Sequence, residues 1–548
     1  MPIKKYYSTA DTTITNAYKE DLQTRGTGSN MGLSDSLETF TIYNQVNYSA
    51  SGNTVTIGAQ TEAARILIKF DAATVKSDYD AATVPSASNF YLRLYNAKHP
   101  MTLPKNYSLE VYPLTRSFTE GHGLDMEDYS DEAEANWVFA NTDSITLQGT
   151  FSSITGSGVT GSGTAFTTQL GTAKKLKIQI DGSSEYETFT ISSIESATLL
   201  TIASTASNTL SASTAMLTDG AWLVNGAMSD VNTVLGTVSF ADGDEDLLLD
   251  ITSHVNTWRD SASNHKGLLI TFPTSSLDET RSYYTKKFFA RGTEYYYKQP
   301  TIEARWNDSV LDDSGQTYKI STRLSNDDNT NNLYLYNWYN GALQNISGNP
   351  QVVLKLYSDS TRSTELSGST NIETITSAST GIYKAQVRVD TDATTIYTKW
   401  YSGSTTYHED SLAVSARPFK NDYNEPEYII SMPNLKSSYT TDEATRLRLY
   451  TRLKDWSPTI YTVASKDIEN QIVTKAYYKV IRLVDDVEAI GYGTGSVKYT
   501  KLSYDISGSY FDLDMSLFES GYAYGLKFVF DINGKYREQP ETFKFRVD

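Results

Sequence analysis

The chain has 548 residues, with 65 acidic against 47 basic side chains, a net charge of −18, 40 tyrosines, 33 glycines, 5 histidines and no cysteine. Absence of cysteine excludes disulfides, thiolate metal sites and cysteine nucleophiles, and an acidic surface repels phosphate backbones, which sets nucleic acid aside as a partner. No stretch approaches the roughly 18 apolar residues of a membrane-spanning helix, so no membrane partner is expected; the opening MPIKKYYSTADTTITNAY lacks the apolar region of a signal peptide.

A chain of this length divides into three or four domains. Thr and Tyr favour pleated, half-buried surfaces, and long stretches with helical apolar spacing are missing. The predicted fold is therefore all-β, a row of antiparallel sandwiches. In chain order, a first strand is expected at 11–18, a Gly-rich loop at 25–32 and a strand near 37–43. Residues 64–70 alternate, with Ile66, Ile68 and Phe70 on one face; 89–95 and 108–114 are further strands. The loop SFTEGHGLDMEDYSDEAEANW then carries His122, Asp125, Glu127 and Asp128. Oxygen ligands at that density could hold a hard cation such as a structural calcium, although a solvated acidic loop is the simpler reading. No other cofactor is expected.

Residues 151–220 alternate between short strands and Gly/Ser turns, the pattern of a small β module inserted at a loop of its host. The host pattern resumes at 221. In ADGDEDLLLD, Asp242, Asp244 and Asp246 superficially match a calcium loop, but Leu247 and Leu248 stand where later ligands would be needed, so an acidic turn is expected. The stretch 246–307 is the most strongly patterned of the chain. An apolar strand leads into a helical turn capped by Thr252, with Val255 and Trp258 on one face, and a second strand follows Gly267. The expected core is Leu248, Ile251, Val255, Trp258 and Leu269. The aromatic run that follows supplies the expected contact surface, Tyr283, Tyr284, Phe288, Phe289, Tyr295, Tyr296 and Tyr297, because Tyr combines large contact area with a hydrogen-bonding tip. After a polar connection, 308–415 and 416–548 each show the cadence of an immunoglobulin-like sandwich without its Cys–Trp–Cys pattern. The organisation is thus 1–150 with 221–307 as one split sandwich, 151–220 inserted, then two further sandwiches.

The order DTTI, RILIKFD, YLRLYNA, a TEG loop, LDITSHVNTW and GLLITF resembles a DNRLRE-type β-sandwich domain, found in bacterial surface proteins and phage structural proteins. The matching positions are Asp11, Arg65, Phe70, Leu92, Leu94, Tyr95, Glu120, Gly121, Asp250, Thr252, Val255, Trp258 and Gly267; Phe118 departs from the usual Trp. GSGTAFTTQL and its strand pairs are similar to a small β-barrel module of phage virion proteins. YYTKKFFARGTEYYYKQPTIEARW, KDWSPTIY and GYAYGLKF resemble structural proteins of marine T4-like, cyanophage-type tailed phages.

Catalytic signatures are missing. The histidines form no HExxH pattern, the Gly-rich stretches lack a P-loop ending, and there is no Gly-x-Ser-x-Gly elbow. The resemblances imply a non-enzymatic virion protein of the tail, neck or baseplate, with copies of itself and other virion proteins as partners. The alternatives are a capsid-surface decoration or fibre protein, or an adhesin that binds host surface glycan.

Overall fold

The computed structural model describes residues 2–548 except 22, 43–45, 49–54, 58–61, 100–102, 126–133, 171–174, 211–216, 223–224, 229, 278–282, 348–350, 367–370, 418–425 and 457–469. The protein is all-β, and its two compact units are Ile3–Arg305 and Trp306–Asp548, the latter including Pro2.

The first unit is built around its first strand, Ile3–Thr15. Residues 3–7 pair antiparallel with Thr301–Arg305, and residues 8–15 pair with Glu62–Phe70 across a register shift between Ser8 and Ala10. A bulge bends and twists a strand, which lets one strand serve two sheet faces. On one side the order runs through Thr301–Arg305 and Asn89–Leu94 to Leu247–Asp250. On the other, Glu62–Phe70 leads to Leu268–Thr271, Tyr107–Pro113 and Gly236–Phe240. Ser36–Ile42 and Tyr283–Phe289 pair with each other and join at Glu62–Phe70. Strands from before residue 114 and after residue 236 therefore share one sheet system.

Between them lies a separate seven-stranded sheet, from Phe139–Thr146 to Leu217–Ala221. It has its own core, including Phe151, Phe166, Leu176, Phe189 and Leu200. The sequence pattern starts this module at 151, but Phe139–Thr146 pairs with Leu217–Ala221 and so belongs to the inserted sheet. Its stem is tied where the chain enters and leaves. The Trp222 indole donates to the Asn136 carbonyl at 2.8 Å, and the Gly226 N–H donates to the Trp137 carbonyl at 2.6 Å. The buried Arg65 guanidinium donates to the Gly226 carbonyl and lies over the Trp137 ring, 4.4 Å from its centroid.

The helical turn of the patterned stretch is Thr252–Asp260, with Val255 and Trp258 buried. Its capping differs from expectation. Thr252 is the first helical residue, and the Asp250 carboxylate accepts its N–H at 2.9 Å. The Thr252 hydroxyl oxygen instead accepts the Phe90 N–H at 2.8 Å, tying the helix to the neighbouring strand. Against it packs a helix the strand-based reading missed, Ala72–Asp80, whose first N–H groups are accepted by Asp71. Tyr79 Oη donates to Asn256 across this contact at 3.1 Å.

Leu248 corrects the expected core. Leu247–Asp250 pairs with Asn89–Leu94 so that Leu248 stands opposite Arg93. Period-2 alternation then turns Leu247 inward, fully buried, and leaves Leu248 46 % exposed. Ile251, Val255, Trp258 and Leu269 are each at most 1 % exposed.

In the second unit, 308–415 forms two facing sheets. One contains Thr317–Tyr318, Thr405–Ser415, Thr395–Ser402 and Val353–Tyr357; the other contains Asn331–Tyr336, Ile382–Arg388 and Asn371–Ser379. Leu333, Leu335, Leu354, Val387, Ile396 and Trp400 fill the space between them. Residues 426–548 repeat the plan, with Leu447, Tyr478, Phe511, Leu526 and Phe528 buried. In each sandwich a short two-residue strand near its start pairs in parallel with the last strand: Thr317 with Val414, and Ser438 with Arg546.

Candidate functional site

Four clusters gather the polar and aromatic residues that could do chemistry or make contacts. The first joins three of the positions carrying the domain resemblance. Glu120 accepts the Asp11 N–H at 2.8 Å and, at 3.1 and 2.6 Å, the Nε and Nη2 of Arg291. Asp11 Oδ2 accepts the Arg291 N–H at 2.8 Å. Burial pushes the Asp11 carboxyl up to about 7, against the lowering effect of the Arg291 N–H. Gly121 sits at φ +83°, and a Cβ there would overlap the Asn30 amide group. That amide donates to the Glu120 and Ala135 carbonyls and accepts from Gly32 and Gly123. The paired carboxylates are a lock between strand and loop; Asp11 is 1 % exposed, so no substrate reaches it. Arg291, the partner that completes the lock, carried no signal beyond following the aromatic run.

The second cluster lies on the outer face of the Thr301–Arg305 strand. Glu303 meets Arg305 at 2.9 Å, Arg93 at 3.6 Å and Lys5 at 4.0 Å. Burial alone would raise its pKa; Arg305, Arg93 and Lys5 outweigh that and hold it near 2. Burial also lowers Lys5 to about 8, opposed by Glu303. Aromatic rings cover these charges: Tyr297 over Lys5, Tyr95 over Arg93 and Tyr91 over Arg305.

This explains why the expected contact surface is smaller than the aromatic run. Tyr297 is 3 % exposed because it covers Lys5, and Phe288 is fully buried beside Phe240. Neither can meet a partner. Tyr284 is half-buried and stacks on Phe272; Phe289 is half-buried against Tyr295. Tyr295 and Tyr296 are 43 % and 48 % exposed. The side chain of Tyr283 lies outside the described residues.

The third cluster occupies the acidic turn. The Lys286 ammonium, 1 % exposed, donates to Asn96 Oδ1, the Gly243 carbonyl and the Glu245 carbonyl at 2.7, 2.9 and 2.7 Å. The rings of Phe240 and Phe288 flank it at 4.7 and 5.2 Å. Burial lowers Lys286 to about 8, opposed by Glu245 and its acidic neighbours. Glu245 closes the turn by accepting the N–H groups of Ala241, Asp242 and Gly243. The turn that mimics a calcium loop thus already holds a cation. His122 and Asp125 are exposed, whereas Glu127 and Asp128 lie outside the described residues. Among the described residues no three His, Asp or Glu side chains converge to hold a metal ion.

The fourth cluster joins the two sandwiches of the second unit. Asp313 Oδ2 accepts the Asn332 N–H at 2.7 Å, and its Oδ1 accepts the Tyr504 hydroxyl at 2.9 Å. The backbone of Val310 and Asp312 bonds to that of Tyr504 on both sides. Tyr334 and Tyr336 stack with centroids 6.2 Å apart, and Tyr510 lies close enough to Tyr336 to perturb it electrostatically. Beside this joint is a cavity of about 260 Å³, lined among others by Asp312, Tyr334, Tyr336, Trp400, His408 and Asp410. Burial raises the Asp312 carboxyl to about 6.

No protein-family model matches the chain, and no curated protein matches it. Among solved structures it is similar to the adhesin InvE of Yersinia pseudotuberculosis, at 12 % identity over 42 % of this chain and 56 % of that one, with a TM-score of 0.14. It thus spans little more than half of InvE. It is also similar to the Escherichia coli adhesin FdeC, at 11 % identity over 53 % of this chain and 79 % of that one, with a TM-score of 0.15. The Ig1-2 module of the Drosophila receptor protein tyrosine phosphatase DLAR aligns at 8 % identity over 40 % and 91 %, with a TM-score of 0.14. Scores this low establish neither a shared arrangement nor a shared role.

Proposed function

We propose that the chain is a non-enzymatic structural protein of a tailed-phage virion, a rigid multi-domain β building block of the tail, neck or baseplate. One observation carries this reading: buried and half-buried charged groups brace the chain against itself. Arg291 and Glu120 lock a loop, Lys286 fills a turn, and Asp313 pins one sandwich to the next. An enzyme needs reacting groups in an accessible cleft; these are spent on rigidity. The phage context rests on the sequence resemblances.

Partners are other copies of the chain and other virion proteins. The exposed Tyr295, Tyr296 and Leu248 offer the apolar area that interface cores use. Mass spectrometry of purified particles, with immunogold labelling of the same preparation, tests the role. The expected result is the chain at fixed stoichiometry and label confined to the tail or neck. Particles that lack the chain would overturn the proposal, and label on the capsid surface would move it to a decoration role.

A further inference from the structure

We propose that the hairpin at 338–343 is a lipid-contacting tip that settles into the headgroup layer of a zwitterionic bilayer. This contact is independent of the virion role, because it rests on the hairpin alone. Trp338–Tyr339 and Ala342–Leu343 pair antiparallel as a two-stranded sheet of their own, Trp338 opposite Leu343 and Tyr339 opposite Ala342. Successive strand residues point to opposite faces. One face therefore carries Trp338 and Leu343, the other Tyr339 and Ala342, and both faces are apolar. A strand with water on one side alternates apolar with polar residues, and a strand apolar on both sides is normally enclosed. Here Trp338 and Tyr339 are 63 % and 62 % exposed, and Ala342 is exposed beside them.

The hairpin is also stiff. Asn340 and Gly341 both hold positive φ, the geometry of a tight two-residue turn. At its base the Asn337 N–H donates to the Gly381 carbonyl at 2.8 Å, and Asn337 Nδ2 donates to the Gln344 carbonyl at 2.7 Å. Residues 329–354 contain no Asp, Glu, Lys or Arg, so moving the tip into a less polar medium desolvates no charge. A sugar stacked on one ring would leave the opposite face wet. A partner protein needs about 800 Å² on each side, whereas two rings at this exposure offer roughly 200–300 Å². A lipid surface closes round both faces and needs no matching shape. The outer edges of a hairpin carry backbone groups that hydrocarbon cannot bond. That sets the depth at headgroup level, where water remains and where Trp and Tyr concentrate. A tip lying in this layer requires no spanning helix. The net charge of −18 sets the lipid class, since an anionic surface repels the chain.

Flotation of the full chain with phosphatidylcholine vesicles tests this. The wild type should float with the lipid. Trp338→Ser and Tyr339→Ser, which change exposed side chains, should each weaken binding by at least about tenfold and keep the wild-type melting temperature. Val484→Ser, at an apolar position 72 % exposed in the other sandwich of this unit, should leave binding unchanged. Replacing part of the lipid with phosphatidylglycerol should weaken binding at low salt. The proposal fails if the wild type does not float, if either folded serine variant at the tip binds as the wild type does, or if Val484→Ser weakens binding as much. It fails if phosphatidylglycerol strengthens binding, which would place the contact on a basic patch elsewhere. It fails too if sedimentation velocity shows, in place of lipid binding, a dimer that Trp338→Ser abolishes, because the tip would then be seated in a second copy.

Discussion

His254 and His265 were legible only as scattered histidines, because nothing in the spacing of their neighbours says that a helix will press them together. Their rings lie 6.2 Å apart beside Trp258, and His254 Nε2, His265 Nδ1 and Trp258 Nε1 are buried without hydrogen-bond partners. Burial lowers His254 to about 4 and His265, with help from His254, to about 3. Unfolded histidine titrates near 6.5, so below that pH the unfolded chain binds protons that the folded chain refuses, and stability falls. Asp11 works the other way: its raised pKa makes the folded chain the better proton binder from about 7 downward, which adds stability on acidification. The two effects offset each other in the native protein, so a variant must separate them. His254→Phe should gain about 2 kcal/mol on the wild type between pH 7 and pH 5, read as the difference of two denaturant titrations; an unchanged difference would refute it. Trp258 was readable as core from its spacing with Val255. Trp258→Ala should cost about 3–5 kcal/mol, whereas Leu248→Ala, on the exposed face, should stay within about 0.5 kcal/mol.

Elements were legible where alternation is strict. Thr395–Ser402 and Asn331–Tyr336 alternate along their whole length and are strands. Two hairpins also carried a local signal: Asn340–Gly341 and Asn533–Gly534, each with both residues at positive φ, the pair that a two-residue turn demands. The Ala72–Asp80 helix was missed because only Ala72 and Val75 are buried, too few to mark a stripe; its one cue was the Asp71 cap. Aromatic density misled in Tyr283–Phe289. Alternation puts Tyr284, Lys286 and Phe288 on one face, so half of a run that reads as surface is interior. Lys286 lies in the middle of that buried face. Lys286→Met keeps the stem but leaves two buried backbone carbonyls and Asn96 without their donor, so it should cost about 2–3 kcal/mol in thermal or denaturant unfolding. A neutral result would show that water replaces the ammonium.

At the scale of the molecule, the all-β class and the tandem sandwiches followed from composition and cadence, but the use of the tyrosines did not. A tyrosine bonded within the chain and one waiting for a partner have the same chemistry, and only pairing of distant segments distinguishes them. Tyr334, Tyr336, Tyr504 and Tyr510 meet inside the second unit. Asp313 serves both sandwiches there, so the unit Trp306–Asp548 should melt in one calorimetric transition. Asp313→Ala leaves the Asn332 N–H and the Tyr504 hydroxyl without their acceptor. Hydrogen bonds to a charged group are each worth about 1.5–3 kcal/mol, and their loss should split that transition in two. A single, merely lower transition would mean that the backbone bonds to Tyr504 and the tyrosines hold the joint without Asp313.

The ammonium in the acidic turn has one more consequence. A bound metal ion leaves when its concentration outside falls, and loop order leaves with it. Lys286 is tethered to the strand beneath the turn, so its effective concentration at the site is permanent. A chelator or calcium-free medium is therefore expected to leave the shape of this turn unchanged, because the cation that fills it is part of the chain.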